Sequence, residues 1–81
     1  MRSIQEIDSL TRKILSKILG QECPNEANFR FLDLHQWDSF KTVELILEVE
    51  STFNFEMSSL QIDSLKNFSD LISVIAELPD A

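Results

Sequence analysis

WDSFKTVELILEVESTF, from Trp37 to Phe53, is the stretch that decides the fold. At about 100° per residue, Leu45, Ile46, Val49 and Phe53 fall on one side of a helix and Glu44, Glu48 and Ser51 on the other. The first set predicts a core face, and the spacing predicts a helix from Ser39 to about Phe53. Asp38 is a good N-cap, because its carboxylate can accept from first-turn N–H groups that have no partner inside the helix. Ser39 then occupies the first helical position. A hydroxyl there sits beside free N–H donors and the positive end of the helix dipole, surroundings that favour a phosphodiester oxygen.

Working outward, Ser3 and Glu6 fit a capping box, and Ile4, Ile7, Leu10, Ile14 and Ile18 recur behind it at helical spacing. A first helix from about Ile4 to Leu19 follows, with Gly20 as its stop and Pro24 confirming that the chain has left it. Between Gln21 and Trp37 no period is sustained, yet Phe29, Phe31, Leu32 and Leu34 are too apolar for a loose linker, so this loop is expected to pack onto the helices. Ser58 with Gln61 is another capping box, opening a short helix from about Ser59 to Leu65. Asn67 caps a last helix with Asp70 in its first turn, a buried stripe of Phe68, Leu71, Ile72, Ile75 and Leu78, and Pro79 as its end. The expected fold is all-α: a small four-helix bundle of antiparallel type, with three main helices and a short third one.

The 81 residues suffice for a single domain, 1–81, with a thin core. A hydrophobic share of 43% against 26% charged places the chain among globular proteins rather than disordered ones. Fourteen acidic residues against seven basic give a net charge of -7. That balance argues against nucleic acid, which needs clustered Lys and Arg, and favours partners with basic patches. Cys23 is the only cysteine, so an internal disulfide is impossible; beside Glu22 and Pro24 nothing predicts a lowered pKa for it. No run approaches the length of a membrane span, and the N-terminus is unlike a signal peptide. A cytoplasmic monomer without membrane insertion is the expectation.

Ser39 lacks the G-x-S-x-G setting of a hydrolase nucleophile. His35 is the lone histidine and reads as a solvated loop residue rather than a base. Glu44 and Glu48 lie one turn apart, but two carboxylates without further ligands read as a solvated acidic face, not a metal site. Phe40 and Leu47 flank that face, with Val43 expected nearer the core boundary. Large apolar side chains mixed with carboxylates suit either a docking site for a basic, partly apolar partner or a cover for the neighbouring loop. Trp37, just ahead of the cap, is placed to pack against Thr42 or Val43 as a hydrophobic staple.

The run DSFKTVELILEVESTF resembles the modification-site helix of the acyl carrier protein superfamily. Asp38 and Ser39 match its Asp-Ser, Thr42-Val43-Glu44-Leu45 matches its Thr-Val-Glu-Leu, and Glu50 and Phe53 match further along. Phe40 replaces the usual Leu, Lys41 stands where an acidic residue is common, and Leu34-His35-Gln36-Trp37 lacks the usual glycine. Met57, Leu65, Phe68, Ile72 and Ile75 continue the likeness beyond the helix. The resemblance implies an acyl-carrier-protein-like fold without catalytic activity of its own. It also implies a covalent 4'-phosphopantetheine on Ser39, donated by coenzyme A through a phosphopantetheinyl transferase that recognises Asp38, and cargo held as a thioester. Phe40, Val43, Glu44, Leu47 and Glu48 would then dock acyl- or aminoacyl-loading and transfer enzymes. Fatty-acyl or polyketide cargo is the first expectation, and aminoacyl, peptidyl or D-alanyl cargo the second. A helical adaptor that binds a basic partner and is never modified is the alternative of another class.

Overall fold

A computed structural model describes residues 3–78 of the chain. Four α-helices run in the order α1 (Ile4–Leu19), α2 (Ser39–Phe53), α3 (Ser59–Asp63) and α4 (Phe68–Ala76), with a 3-10 turn at Phe31–Asp33 in the long connection before α2. The described residues are thus all-α, with no strand among them. α1 packs against both α2 and α4. The radius of gyration, 11.7 Å, is that of a compact chain of this length, about 12 Å.

α1 begins where Ser3 Oγ accepts from the Glu6 N–H at 3.1 Å. Only this hydroxyl half of the expected capping box forms, and Glu6 is exposed. The helix ends at Gly20, whose φ of 69° lies in the left-handed region that suits glycine. Its buried face is Ile7, Thr11, Ile14 and Leu15. Thr11 is a polar member that the apolar spacing alone missed; it stays buried because its hydroxyl donates to the Ile7 carbonyl at 2.7 Å. Leu10 and Ile18 only border the core, and Ile4 is exposed.

α2 buries Leu45, Ile46, Val49 and Phe53, the face that the spacing predicts. Asn54 closes it in the left-handed conformation. Glu50 folds back, its Oε2 accepting from the Met57 N–H at 2.7 Å, which fixes the turn that buries Met57. α3 stops at Asp63, two residues before the predicted end at Leu65. The Ser64 hydroxyl donates to the Gln61 carbonyl at 2.7 Å, and the Leu65 N–H reaches the Ile62 carbonyl three residues back, tightening the last turn. α4 starts on a full capping box between Asn67 and Asp70, and buries Phe68, Leu71, Val74 and Ile75. It ends at Ala76 with Glu77 as the C-cap. The stop assigned to Pro79 lies outside the described residues.

The long connection is packed, as its composition predicts. Phe29, Phe31 and Leu34 are buried, whereas Leu32 is 75% exposed, contrary to expectation. The 3-10 turn sets Leu32 outward between buried Phe31 and exposed Asp33. Backbone bonds hold the segment to the start of α4: the Phe31 N–H donates to the Lys66 carbonyl at 3.2 Å, and the Phe68 N–H to the Phe29 carbonyl at 2.8 Å. From α1, Arg12 donates to the carbonyls of Pro24 and Glu26 at 2.6 and 2.8 Å. All buried apolar side chains join one cluster. Among the described residues no helix is long and apolar enough to cross a membrane.

Candidate functional site at the start of α2

The site is built on one cap. Asp38 is extended, with φ -148° and ψ -179°, and its Oδ1 accepts from the Lys41 N–H at 2.9 Å. Ser39 is therefore the first helical residue, and it is exposed. A helix has no carbonyl of its own for its first N–H groups, and Asp38 takes up that of Lys41. No acidic residue follows in this first turn, so the Asp38 cap is the carboxylate that faces the positive end of the helix dipole there. An anionic ester at Ser39 would meet the donors and dipole of the helix start, beside the carboxylate of Asp38, which is engaged with the Lys41 N–H.

Behind the serine, the chain is anchored through Trp37. Its indole Nε1–H donates to Thr42 Oγ1 at 3.0 Å, and that hydroxyl donates in turn to the Asp38 carbonyl at 3.2 Å. The Trp37 ring stacks on Phe31, with centroids 5.4 Å apart and planes 20° from parallel. The staple predicted for Trp37 thus reaches Thr42, and it does so through a hydrogen bond as well as packing. Gln36 immediately before it has φ 56°, a left-handed backbone that costs a non-glycine residue about 1–2 kcal/mol. No glycine precedes the cap to relieve that strain.

Phe40, Val43, Glu44, Leu47 and Glu48 share the outer face of α2, at spacings of three and four. Phe40 is 70% exposed, Val43 54% and Leu47 59%. Val43 therefore belongs to the outer face rather than to the core boundary where the helical angle put it. The two glutamates are half-buried, and Glu48 Oε1 lies 3.7 Å from Lys17 Nζ of α1. A recess of about 220 Å³ lined by Lys17, Ile18, Glu44, Leu47 and Glu48 runs between the two helices. Three apolar side chains in water beside two carboxylates suit a partner that brings both apolar and basic groups.

One cavity that the sequence did not signal opens next to the site. It measures about 340 Å³ and is lined by Arg30, Phe31, Leu32, Trp37, Thr42, Leu45, Leu65 and Lys66. Its walls come from the long connection, α2 and the linker between α3 and α4, which are brought together only in three dimensions. Thr42, one turn beyond Ser39, belongs to both the cavity wall and the anchor of the cap.

His35 is exposed, and among the described residues no hydrogen bond joins it to Ser39. No group of three His, Cys, Asp or Glu side chains able to hold a metal ion is found among them either. Cys23 lies far along the chain on the loop after α1, half-buried, with its N–H donating to Ser16 Oγ at 3.0 Å. Burial pushes its thiol pKa up, and the nearby Arg12 charge offsets part of that rise. No family model matches the chain and no solved structure matches it, so the reading of this site rests on its own residues.

Proposed function

We propose that the chain is a carrier protein that bears 4'-phosphopantetheine on Ser39 and presents acyl groups to partner enzymes. The observation that carries this reading is the exposed Ser39 hydroxyl at the first position of a capped, fifteen-residue helix. Supporting it is the acyl-carrier-protein-like order of a long helix, a packed loop, the serine-bearing helix, a short helix and a last helix. The residues fit the group. Ser39 offers an esterifiable oxygen in solvent, and the N–H groups of the first turn offer donors to a phosphodiester. The arm supplies a terminal thiol on which cargo is held as a thioester. The chain's own contribution is to cap, expose and orient Ser39, and to offer Phe40, Val43, Glu44, Leu47 and Glu48 beside it to an enzyme with a basic, partly apolar surface. Tethering then raises the effective concentration of cargo at each docked enzyme. A fatty-acyl or polyketide-type cargo is the first choice; charging by an adenylating amino-acid enzyme in place of an acyl-ligating one would assign aminoacyl cargo.

Coexpression with a broad-specificity phosphopantetheinyl transferase, followed by intact-mass measurement, tests the proposal. The expected result is a gain of one phosphopantetheine group that disappears in Ser39→Ala. No gain, or a gain that survives the substitution, refutes it and leaves an unmodified helical adaptor as the better reading.

A further inference from the structure

Asp38, Ser39 and Phe40 are all exposed, and the first fully buried residue of α2 is Leu45, six positions after the serine. Burial therefore does little to hold the front of this helix, where ends normally fray. What reaches it from the core is a chain of specific contacts. The Phe31 N–H is bonded to the Lys66 carbonyl, the Phe31 ring stacks on Trp37, the Trp37 indole N–H donates to Thr42 Oγ1, and Thr42 donates from both its hydroxyl and its N–H to the Asp38 carbonyl. The Trp37 N–H also donates to the Leu34 carbonyl at 3.2 Å, fixing the ring from its backbone side.

We propose that Trp37 and Thr42 act as a clamp: the indole–hydroxyl bond holds the Asp38–Ser39 turn in the shape that the modifying enzyme engages. This rests on the carrier reading of Ser39, and it makes Trp37 and Thr42 positioning residues for the modification. Without the bond, the turn divides its time between the capped shape and frayed ones. An enzyme that binds only the capped shape then sees a reduced concentration of it, and its apparent affinity falls by the competent fraction. The penalty therefore falls on KM and not on kcat.

Two measurements on the full chain test this. The first is amide hydrogen exchange at Lys41 and Thr42, whose N–H groups are bonded to Asp38; it requires no modification. In Trp37→Phe, which keeps a ring against Phe31 and removes the donor, both amides should exchange about fivefold faster, the worth of one hydrogen bond. The second is transferase kinetics with coenzyme A and varied carrier concentration. Trp37→Phe and Thr42→Val should raise KM between about two- and fivefold at unchanged kcat, and Thr42→Ser, which restores the hydroxyl, should return KM to that of the parent. Unchanged exchange, a parental KM in both variants, a fall in kcat at constant KM, or Thr42→Ser as impaired as Thr42→Val overturns the clamp. Failure of the parent chain to be modified refutes the carrier reading and the clamp's role in it, while the exchange result still reports on the contact itself.

Discussion

The guanidinium carbon of Arg12 lies 4.4 Å from the ring centre of Phe68. The two residues belong to α1 and to the first position of α4, and the same guanidinium lies 5.8 Å from the Phe29 ring, which stacks on Phe68 at 5.0 Å. Asp8 Oδ1 accepts from Arg12 Nε at 2.6 Å, and this bond raises the guanidinium pKa above its already high value. One fixed cation thereby joins the first helix, the long loop and the last helix.

Arg12→Ala should cost about 2–3 kcal/mol, since it removes hydrogen bonds from a charged donor together with a cation–ring contact. Arg12→Lys should recover only part of that, because an ammonium cannot present the planar fork that reaches Asp8, Pro24 and Glu26 together. Urea unfolding of the three proteins gives the comparison. Equal stability of all three would show that the fork contributes nothing to the fold.

Cys23 should be a slow thiol. Burial holds its pKa above the ordinary value, so its thiolate is scarcer than that of an exposed cysteine at any pH near neutrality. Iodoacetamide should therefore alkylate it more slowly than it alkylates glutathione at pH 7.5. The folded chain retains the proton longer than the unfolded chain does. The associated stability is thus fully present below the unfolded thiol's pKa and is lost as pH rises through the folded value. Cys23→Ala should abolish that alkaline loss in unfolding curves.

Gly20→Ala should destabilise by about 1 kcal/mol, purely through the backbone, because a Cβ meets no atom within 4 Å but must adopt a φ of 69°. Asn54→Gly, at φ 57°, should change stability by less than about 0.5 kcal/mol, whereas Asn54→Val should cost about 1–2 kcal/mol. Thermal melts monitored by circular dichroism read all three.

Phe40→Ser and Leu47→Ser should each leave stability within about 0.5 kcal/mol, being changes to exposed side chains. Leu45→Ala, two residues from Leu47, removes a fully buried side chain and should cost about 3 kcal/mol. On the carrier reading the first two variants still accept the arm but lose activity with loading enzymes. A stability loss as large as that of Leu45→Ala would show that the outer side chains are part of the core.

The two long helices were legible close to their observed bounds because their ends carry boundary chemistry. Ser3 and Gly20 bracket α1, and Asp38 opens α2, whose left-handed stop at Asn54 was not read from the sequence. Ser39 could be placed at a helix start for the same local reason. α3 ran shorter than expected because Ser64 bonds its own helix's carbonyl, a choice that no periodicity records. Thr11 was missed because a hydroxyl satisfied by the preceding turn is as buriable as a methyl group. Leu32 misled in the opposite sense: a 3-10 turn, with no sustained period to announce it, set it outward. The 340 Å³ cavity depends on segments distant in sequence meeting, and nothing in the sequence announces it, whereas the Trp37–Thr42 contact, five residues apart, was legible as a staple and only its hydrogen bond was not.

Leu45 as the first residue of α2 inside the core divides the helix into two stretches under different structural constraints. From Leu45 onward, substitutions on the buried face of Leu45, Ile46, Val49 and Phe53 must satisfy neighbouring helices. Ahead of it, Phe40 and Val43 are constrained chiefly by whatever approaches from outside. Side chains at these forward positions can therefore be exchanged while the fold stays intact, and that freedom lets an engineer change what the outer face recognises without restabilising the protein.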